Sequence, residues 1–150
     1  MELRPEGDPD WRTLKDKLLD HFYAFDSSSF PDGKYFVRIT ASDAPSNIAS
    51  AVLTSSLESE DFIIDNTPPV VTVNSADSKA LKFNARDALS WIDKAEYSVD
   101  GGEWTSLLPD NLVTDSQSLD YTITANPGQM VSIRVYDEND NVSAKAVVAK

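Results

Sequence analysis

The sequence predicts an all-β protein built from two antiparallel β-sandwich modules in tandem, the first of which lacks its early strands. Three observations predict this class. Apolar and polar side chains alternate with period two over much of 70–149, a proline pair interrupts the chain at 68–69, and the segment before the prolines resembles part of the segment after them. Hydrophobic residues make up 41% of the 150 residues, which is enough for a packed core.

The second module is predicted to contain about seven strands. Leu81, Phe83 and Ala85 alternate with polar residues, as expected for a strand with one buried face. Asp100-Gly101-Gly102 predicts a tight hairpin turn because glycine accepts positive φ without a steric penalty. Asn139-Asp140-Asn141 predicts another turn. The predicted strands lie at 70–74, 81–86, 95–100, from 103 onward, 121–124, 131–136 and 142–149.

The segment Asp65-Asn66-Thr67-Pro68-Pro69 marks the predicted boundary between the modules. Proline cannot donate to a sheet ladder, and the residue before a proline is pushed into an extended conformation. We therefore interpret the segment as a short, stiff linker. It divides the chain into a partial module over 1–66 and a complete module over 67–150.

The first module repeats the later part of the second one. The matching stretches are Asp10–Leu14 with Glu103–Leu107, Pro31–Tyr35 with Pro127–Met130, and Val37–Asp43 with Val131–Asp137, at offsets of 93 to 96 residues. Such a period is that of one sandwich domain, so the first copy begins near the middle of its domain.

A short helix is the alternative for the start of the chain. Trp11, Leu14, Leu18, Leu19 and Phe22 are spaced like one helix face, and Asp8 or Asp10 is suitable as an N-cap. The repeat favours a strand followed by a long loop instead, because its second copy predicts a strand at this place.

Several motifs resemble bacterial fibronectin type III-like and immunoglobulin-like repeats of secreted multidomain proteins. They are Phe30–Asp43, Asp65–Pro69 and Ala95–Trp104. The resemblance implies immunoglobulin/fibronectin type III-like sandwich modules that act as a non-catalytic spacer or docking domain. It also implies an extracellular, cell-surface or periplasmic location, with other domains of a parent protein or another chain as partners. The chain departs from this pattern in the missing first half of module one.

Charge and residue content disfavour several functions. The chain has 25 acidic and 13 basic side chains and a net charge of -12, which disfavours nucleic acid and anionic membranes as partners. It has no cysteine and one histidine, His21, which excludes thiolate chemistry and mechanisms that need two imidazoles. No apolar run approaches the length of a bilayer span. We expect no enzyme activity, no catalytic residues, no cofactor and no membrane insertion.

The sequence offers two candidate binding sites. Asp137, Asn139, Asp140 and Asn141 carry the oxygen ligands that calcium prefers, in a pattern similar to the calcium linkers of cadherins. A hairpin turn is the simpler interpretation of the same residues. Trp91, in a segment predicted as a loop, is the candidate for stacking on a sugar ring, although core packing or hairpin anchoring is the commoner role of a lone tryptophan.

The missing early strands lead to a prediction about partners. An incomplete first module would leave sheet edges whose backbone groups can pair with another strand. We therefore expect strand addition at module one, from an upstream segment, from another protein chain or by self-association.

Overall fold

The computed structural model describes residues 1–77 and 80–150. These residues form twelve β-strands and three short 3₁₀ turns (Ser27–Ser29, Ala44–Ser46 and Ala49–Ala51), with no α-helix among them. The predicted all-β class is confirmed. The chain divides into two compact units, Met1–Ile64 and Asp65–Lys150. No helix in the described part is long and apolar enough to cross a membrane.

The first unit is a single sheet of five antiparallel strands. The strands are β1 (Glu2–Pro5), β2 (Arg12–Thr13), β3 (Gly33–Ser42), β4 (Thr54–Glu58) and β5 (Phe62–Ile64). Their order is β2-β1-β3-β4, and β5 pairs with the start of β3. The helix considered for residues 11–22 is not formed, because Arg12 and Thr13 pair with Leu3 and Glu2 in a strand.

The second unit contains two antiparallel sheets. Its strands are β6 (Val70–Asp77), β7 (Ala80–Arg86), β8 (Ile92–Val99), β9 (Thr105–Leu107), β10 (Ser118–Ile123), β11 (Met130–Asp137) and β12 (Val142–Val148). The three-stranded sheet has the order β10-β7-β6, and the four-stranded sheet has the order β12-β11-β8-β9. The seven strands lie at or close to the segments where alternation predicts them.

The two sheets of the second unit share one hydrophobic core. Alternate residues point inward, so that Leu81 and Phe83 of β7 pack in the same buried cluster as Ile133 and Val135 of β11. Phe83 and Tyr121 stack with their ring centroids 4.9 Å apart. Burial of each large apolar side chain stabilises a fold by about 1.5–3 kcal/mol, so this core accounts for a stable sandwich.

The core of the first unit is much smaller. Its buried cluster comprises Leu3, Tyr35 and Ile64, against which a few half-buried apolar side chains pack. Phe25 and Phe30 meet edge to face at 5.4 Å on this cluster. The first unit therefore consists mainly of one sheet, with no second sheet packed on it in the part of the chain that the structure describes.

The proline-containing segment is part of the second unit rather than a free spacer. Asp65 and Pro69 are buried, Asn141 Nδ2 donates to the Asp65 carbonyl oxygen at 3.0 Å, and the Ser143 hydroxyl donates to the Pro69 carbonyl oxygen. The units meet between Ile64 and Asp65, two residues before the boundary that the prolines suggest. Side-chain burial of Asp65 is the physical reason for the difference.

Candidate functional site

Three aspartates come together at one end of the second unit. Asp65 lies a few residues before β6, Asp87 directly follows β7, and Asp137 is the last residue of β11. All three are buried, and each offers a carboxylate oxygen within 4.8 Å of the others. We call Asp65, Asp87 and Asp137 the aspartate cluster.

Loop backbone and a serine hold two members of the aspartate cluster. Asp87 Oδ1 accepts hydrogen bonds from Leu89 N at 2.8 Å and Ser90 N at 3.0 Å, which closes the turn after β7. The Ser90 hydroxyl donates to Asp65 Oδ2 at 2.7 Å, and Thr67 N donates to Asp65 Oδ1 at 3.0 Å. These bonds orient Asp65 and Asp87 without supplying a positive charge.

Asp137 organises the hairpin turn between β11 and β12. Its Oδ1 accepts from the backbone N–H groups of Asn139 and Asn141, at 2.8 and 2.9 Å. Its Oδ2 accepts from Asn141 Nδ2 at 2.9 Å, so the NH₂ group of Asn141 points towards the aspartate cluster. Asn139 and Asp140 are exposed, and Asp140 takes a positive φ of 63°. Of the four candidate calcium ligands, the structure therefore places only Asp137 in the cluster.

The electrostatics of the aspartate cluster are unfavourable as it stands. Among the described residues, no lysine, arginine or histidine forms an ion pair with these three carboxylates. Burial raises the pKa of Asp65, and the nearby charges of Asp87 and Asp137 raise that pKa further. Buried charges are normally paired or bound to a metal, and carboxylate oxygens suit a hard divalent cation such as calcium.

The sheet of the first unit carries an uncovered apolar face. Leu3 and Val37 are register partners, as are Ile39 and Leu57, so these four side chains share one face. Leu3 is buried, whereas Ile39 is 50% and Leu57 is 79% exposed. We call the surface formed by Val37, Ile39 and Leu57 the open face.

A cavity of about 620 Å³ borders the small core of the same unit. Apolar side chains contribute much of its wall, including Leu3, Leu14, Phe30 and Tyr35. This volume lies within the range of small-molecule sites, about 300–1,000 Å³. The first unit therefore leaves both an apolar hollow and an apolar sheet surface open to solvent.

Two of the three tryptophans are covered by arginine side chains of their own unit. Arg38 lies over the Trp11 ring at 4.5 Å from its centroid, and Arg4 covers Trp11 at 4.9 Å. In the second unit Arg134 lies over Trp104 at 3.9 Å. These stacks are intramolecular cation–π contacts, and in Trp104 the contact with Arg134 occupies one of the two ring faces on which a sugar could stack.

Trp91 lies in the loop before β8 and is half exposed. Its carbonyl oxygen accepts from Glu138 N at 3.1 Å, which ties the loop to the turn after β11. No ring contact or cation–π contact of Trp91 is found among the described residues. Its ring is thus a lone aromatic surface, and sugar stacking there stays a prediction.

Comparison with known proteins adds no assignment: no model of a protein family matches the chain, and no curated protein matches it significantly.

Proposed function

We propose that this protein is a non-catalytic interaction module, a spacer or docking domain, whose working surface is the open face of the first unit. The observation that carries the proposal is the strand order. The first unit has the order β2-β1-β3-β4, and the four-stranded sheet of the second unit has the matching order β9-β8-β11-β12. The first unit has no counterpart of the covering sheet β10-β7-β6 within the described residues.

Register supports this equivalence residue by residue. Leu3 pairs with Arg12 and Val37, as Tyr97 pairs with Thr105 and Ile133. On this alignment Trp11 corresponds to Trp104 and Arg38 to Arg134, so that both arginine–tryptophan stacks occupy equivalent places. The two sheets are best explained as copies of one architectural unit.

Burial indicates what the first copy is missing. On the same alignment Ile39 corresponds to Val135, which is fully buried beneath the second sheet of its unit. An apolar side chain that is half exposed where its equivalent is covered marks a surface suited to a partner. Geometry, rather than bond-making chemistry, is the mechanism that this surface supports.

A hydrophobic dye tests the proposal. We expect ANS fluorescence to rise on binding to the full chain and to fall at least several-fold in the double variant Ile39→Asp/Leu57→Glu. Leu108→Glu, at an exposed leucine of the second unit, is the matched control and should leave the signal unchanged. Weak dye binding, or equal binding by all three proteins, would argue against an open interaction surface.

We further propose that the module acts outside the cytosol, as part of a secreted, cell-surface or periplasmic protein. The support is the resemblance of Phe30–Asp43, Asp65–Pro69 and Ala95–Trp104 to repeats of such proteins. Expression with and without an export signal, followed by protease resistance in each compartment, tests this. Folding only in the cytosol would count against it.

A second candidate function is divalent-cation binding by the aspartate cluster. Three buried carboxylates without a cationic side chain favour it, since a bound calcium ion would neutralise their charge. Binding to the native state must stabilise that state, so the melting temperature of the second unit should rise at millimolar calcium. Asp65→Asn should abolish the rise, and Asp93→Asn, at an exposed aspartate of β8, should preserve it. An unchanged melting temperature at millimolar calcium would eliminate this function.

A further inference from the structure

We propose that the open face binds a partner polypeptide, which supplies a β-hairpin with an apolar face followed by one further strand. Residues 19–25 of this chain then form a strand in the second sheet that covers the open face. This inference rests on the proposed function and specifies the partner that the open face takes. The second unit provides the template, because its β6–β7 hairpin and β10 cover the equivalent sheet.

The first line of support is an open strand edge. On one side of β3, residues 38–42 pair with β4; on the other side, pairing with β1 ends at Arg38 opposite Glu2. In β11 the equivalent residues Val135 and Tyr136 pair with Ala95 and Lys94 of β8. The described part of the first unit thus contains no strand for this stretch of β3, and an incoming strand can pair there through its backbone.

The second line of support is the loop between β2 and β3. In the second unit the equivalent connection contains β10, which pairs with β7. Residues 14–26 of the first unit form neither strand nor helix, although they carry apolar side chains. Leu19 is 93% and Phe22 is 78% exposed. A partner strand in the position of β7 would offer backbone N–H and C=O groups with which residues 19–25 could pair. In an extended conformation, Leu19, Tyr23 and Phe25 would then lie on the same face of the new strand.

Charge specifies the partner further. Acidic side chains are twice as many as basic ones in residues 1–64. The excess of acidic side chains repels a partner of negative charge. A partner strand with basic residues between its apolar ones would instead be attracted to the first unit. The segment 70–95 of this chain has that pattern, with exposed Lys82 and Arg86 beside buried Leu81 and Ala85. By register this segment ends one residue before Glu96, the equivalent of Glu2, so it is a part of the second unit that has no counterpart in residues 1–64.

A peptide with the sequence of residues 70–95 is therefore the probe. We expect it to bind the full chain, to protect amide hydrogens of residues 19–25 and 39–42 from exchange, and to bind more weakly as salt rises. Leu57→Glu should weaken binding at least tenfold, whereas Leu108→Glu should not. Because Leu57 is exposed in the free chain, its substitution leaves the fold intact and reports on the surface.

Fusion of the same segment directly before Glu2 raises its effective concentration and removes weak affinity as an explanation. The fused chain should show the same protection. No gain in protection in the fused chain would overturn the inference. A dimer of the unfused chain in light scattering, together with protection of residues 39–42 in that dimer, would also overturn it, because a second copy would then be the partner. If ANS binds the open face while the fused segment gives no protection, the proposed function stands and only the partner is wrong.

Discussion

Tyr121 of the second unit buries a polar group at a cost in stability. Its ring is fully buried against Phe83, and its hydroxyl has no hydrogen-bond partner among the described residues. Burial raises the pKa of this hydroxyl to about 12. An unsatisfied buried hydroxyl costs about 1–3 kcal/mol. The ring of Tyr121 therefore stabilises the core by packing, whereas its hydroxyl destabilises the fold.

Tyr121→Phe should therefore raise the free energy of unfolding by about 1 kcal/mol. Because the unfolded hydroxyl ionises first, this tyrosine also lowers stability as pH rises from about 10 towards 12, and the variant should lose that dependence. Urea unfolding at neutral and alkaline pH measures both effects. Tyr97→Phe, at a half-buried tyrosine, is the control; a less stable Tyr121→Phe variant would indicate that the hydroxyl has a partner.

Asp65 also buries a polar group at a cost in stability, but here the buried group is a carboxylate that is charged at neutral pH when it stands free. Its pKa is raised, chiefly by burial, so the folded state holds the proton more tightly than the unfolded state. Its ionised form destabilises the fold above the folded pKa, and this penalty is relieved as pH falls towards the ordinary value of 3.8.

Asp65→Asn should raise the free energy of unfolding by about 1 kcal/mol at pH 7 without calcium. It should also remove the gain in stability that protonation of Asp65 gives the native chain as pH falls. Thermal melts between pH 7 and 4 measure it, with Asp93→Asn as control. A variant that is less stable at pH 7, with an unchanged pH profile, would mean that Asp65 is held by a compensating charge.

At the scale of elements, alternation predicted most of the second unit because strands such as β7, β10 and β11 alternate buried side chains with more exposed ones. It could not fix the register of the repeat. The sequence match pairs Val37 with Val131, whereas strand pairing makes Val37 equivalent to Ile133. A two-residue shift keeps every side chain on the same face, so the hydrophobic pattern cannot detect it.

The aspartate cluster was only partly predictable, for a related reason. Asp137 was recognisable within a dense acidic turn, but Asp65 and Asp87 are isolated in the sequence. Sheet topology brings the start of β6, the end of β7 and the end of β11 to one end of the unit. Position at strand ends was the available signal, and it becomes informative only once the strand order is known.

At the scale of the whole molecule, the two units share a strand order in one sheet and differ in their number of layers. The second unit is a two-layer sandwich, and the first is one layer of matching strand order. Solvent can reach the backbone of β3 from its unpaired side at residues 39–42, whereas the equivalent part of β11 is paired on both sides and covered. Local stability should differ accordingly.

Hydrogen–deuterium exchange of the full chain tests this difference between the units most directly. Successive N–H groups of a strand point to opposite sides, and Val37 N and Asp43 N donate on the β4 side, so the N–H groups of Thr40 and Ser42 face the unpaired edge. These two amides should exchange at least a hundredfold faster than those of the equivalent Tyr136 and Glu138. Equal protection of the two pairs of amides in the monomeric chain would contradict an open first unit, because this edge of β3 would then already be paired and covered.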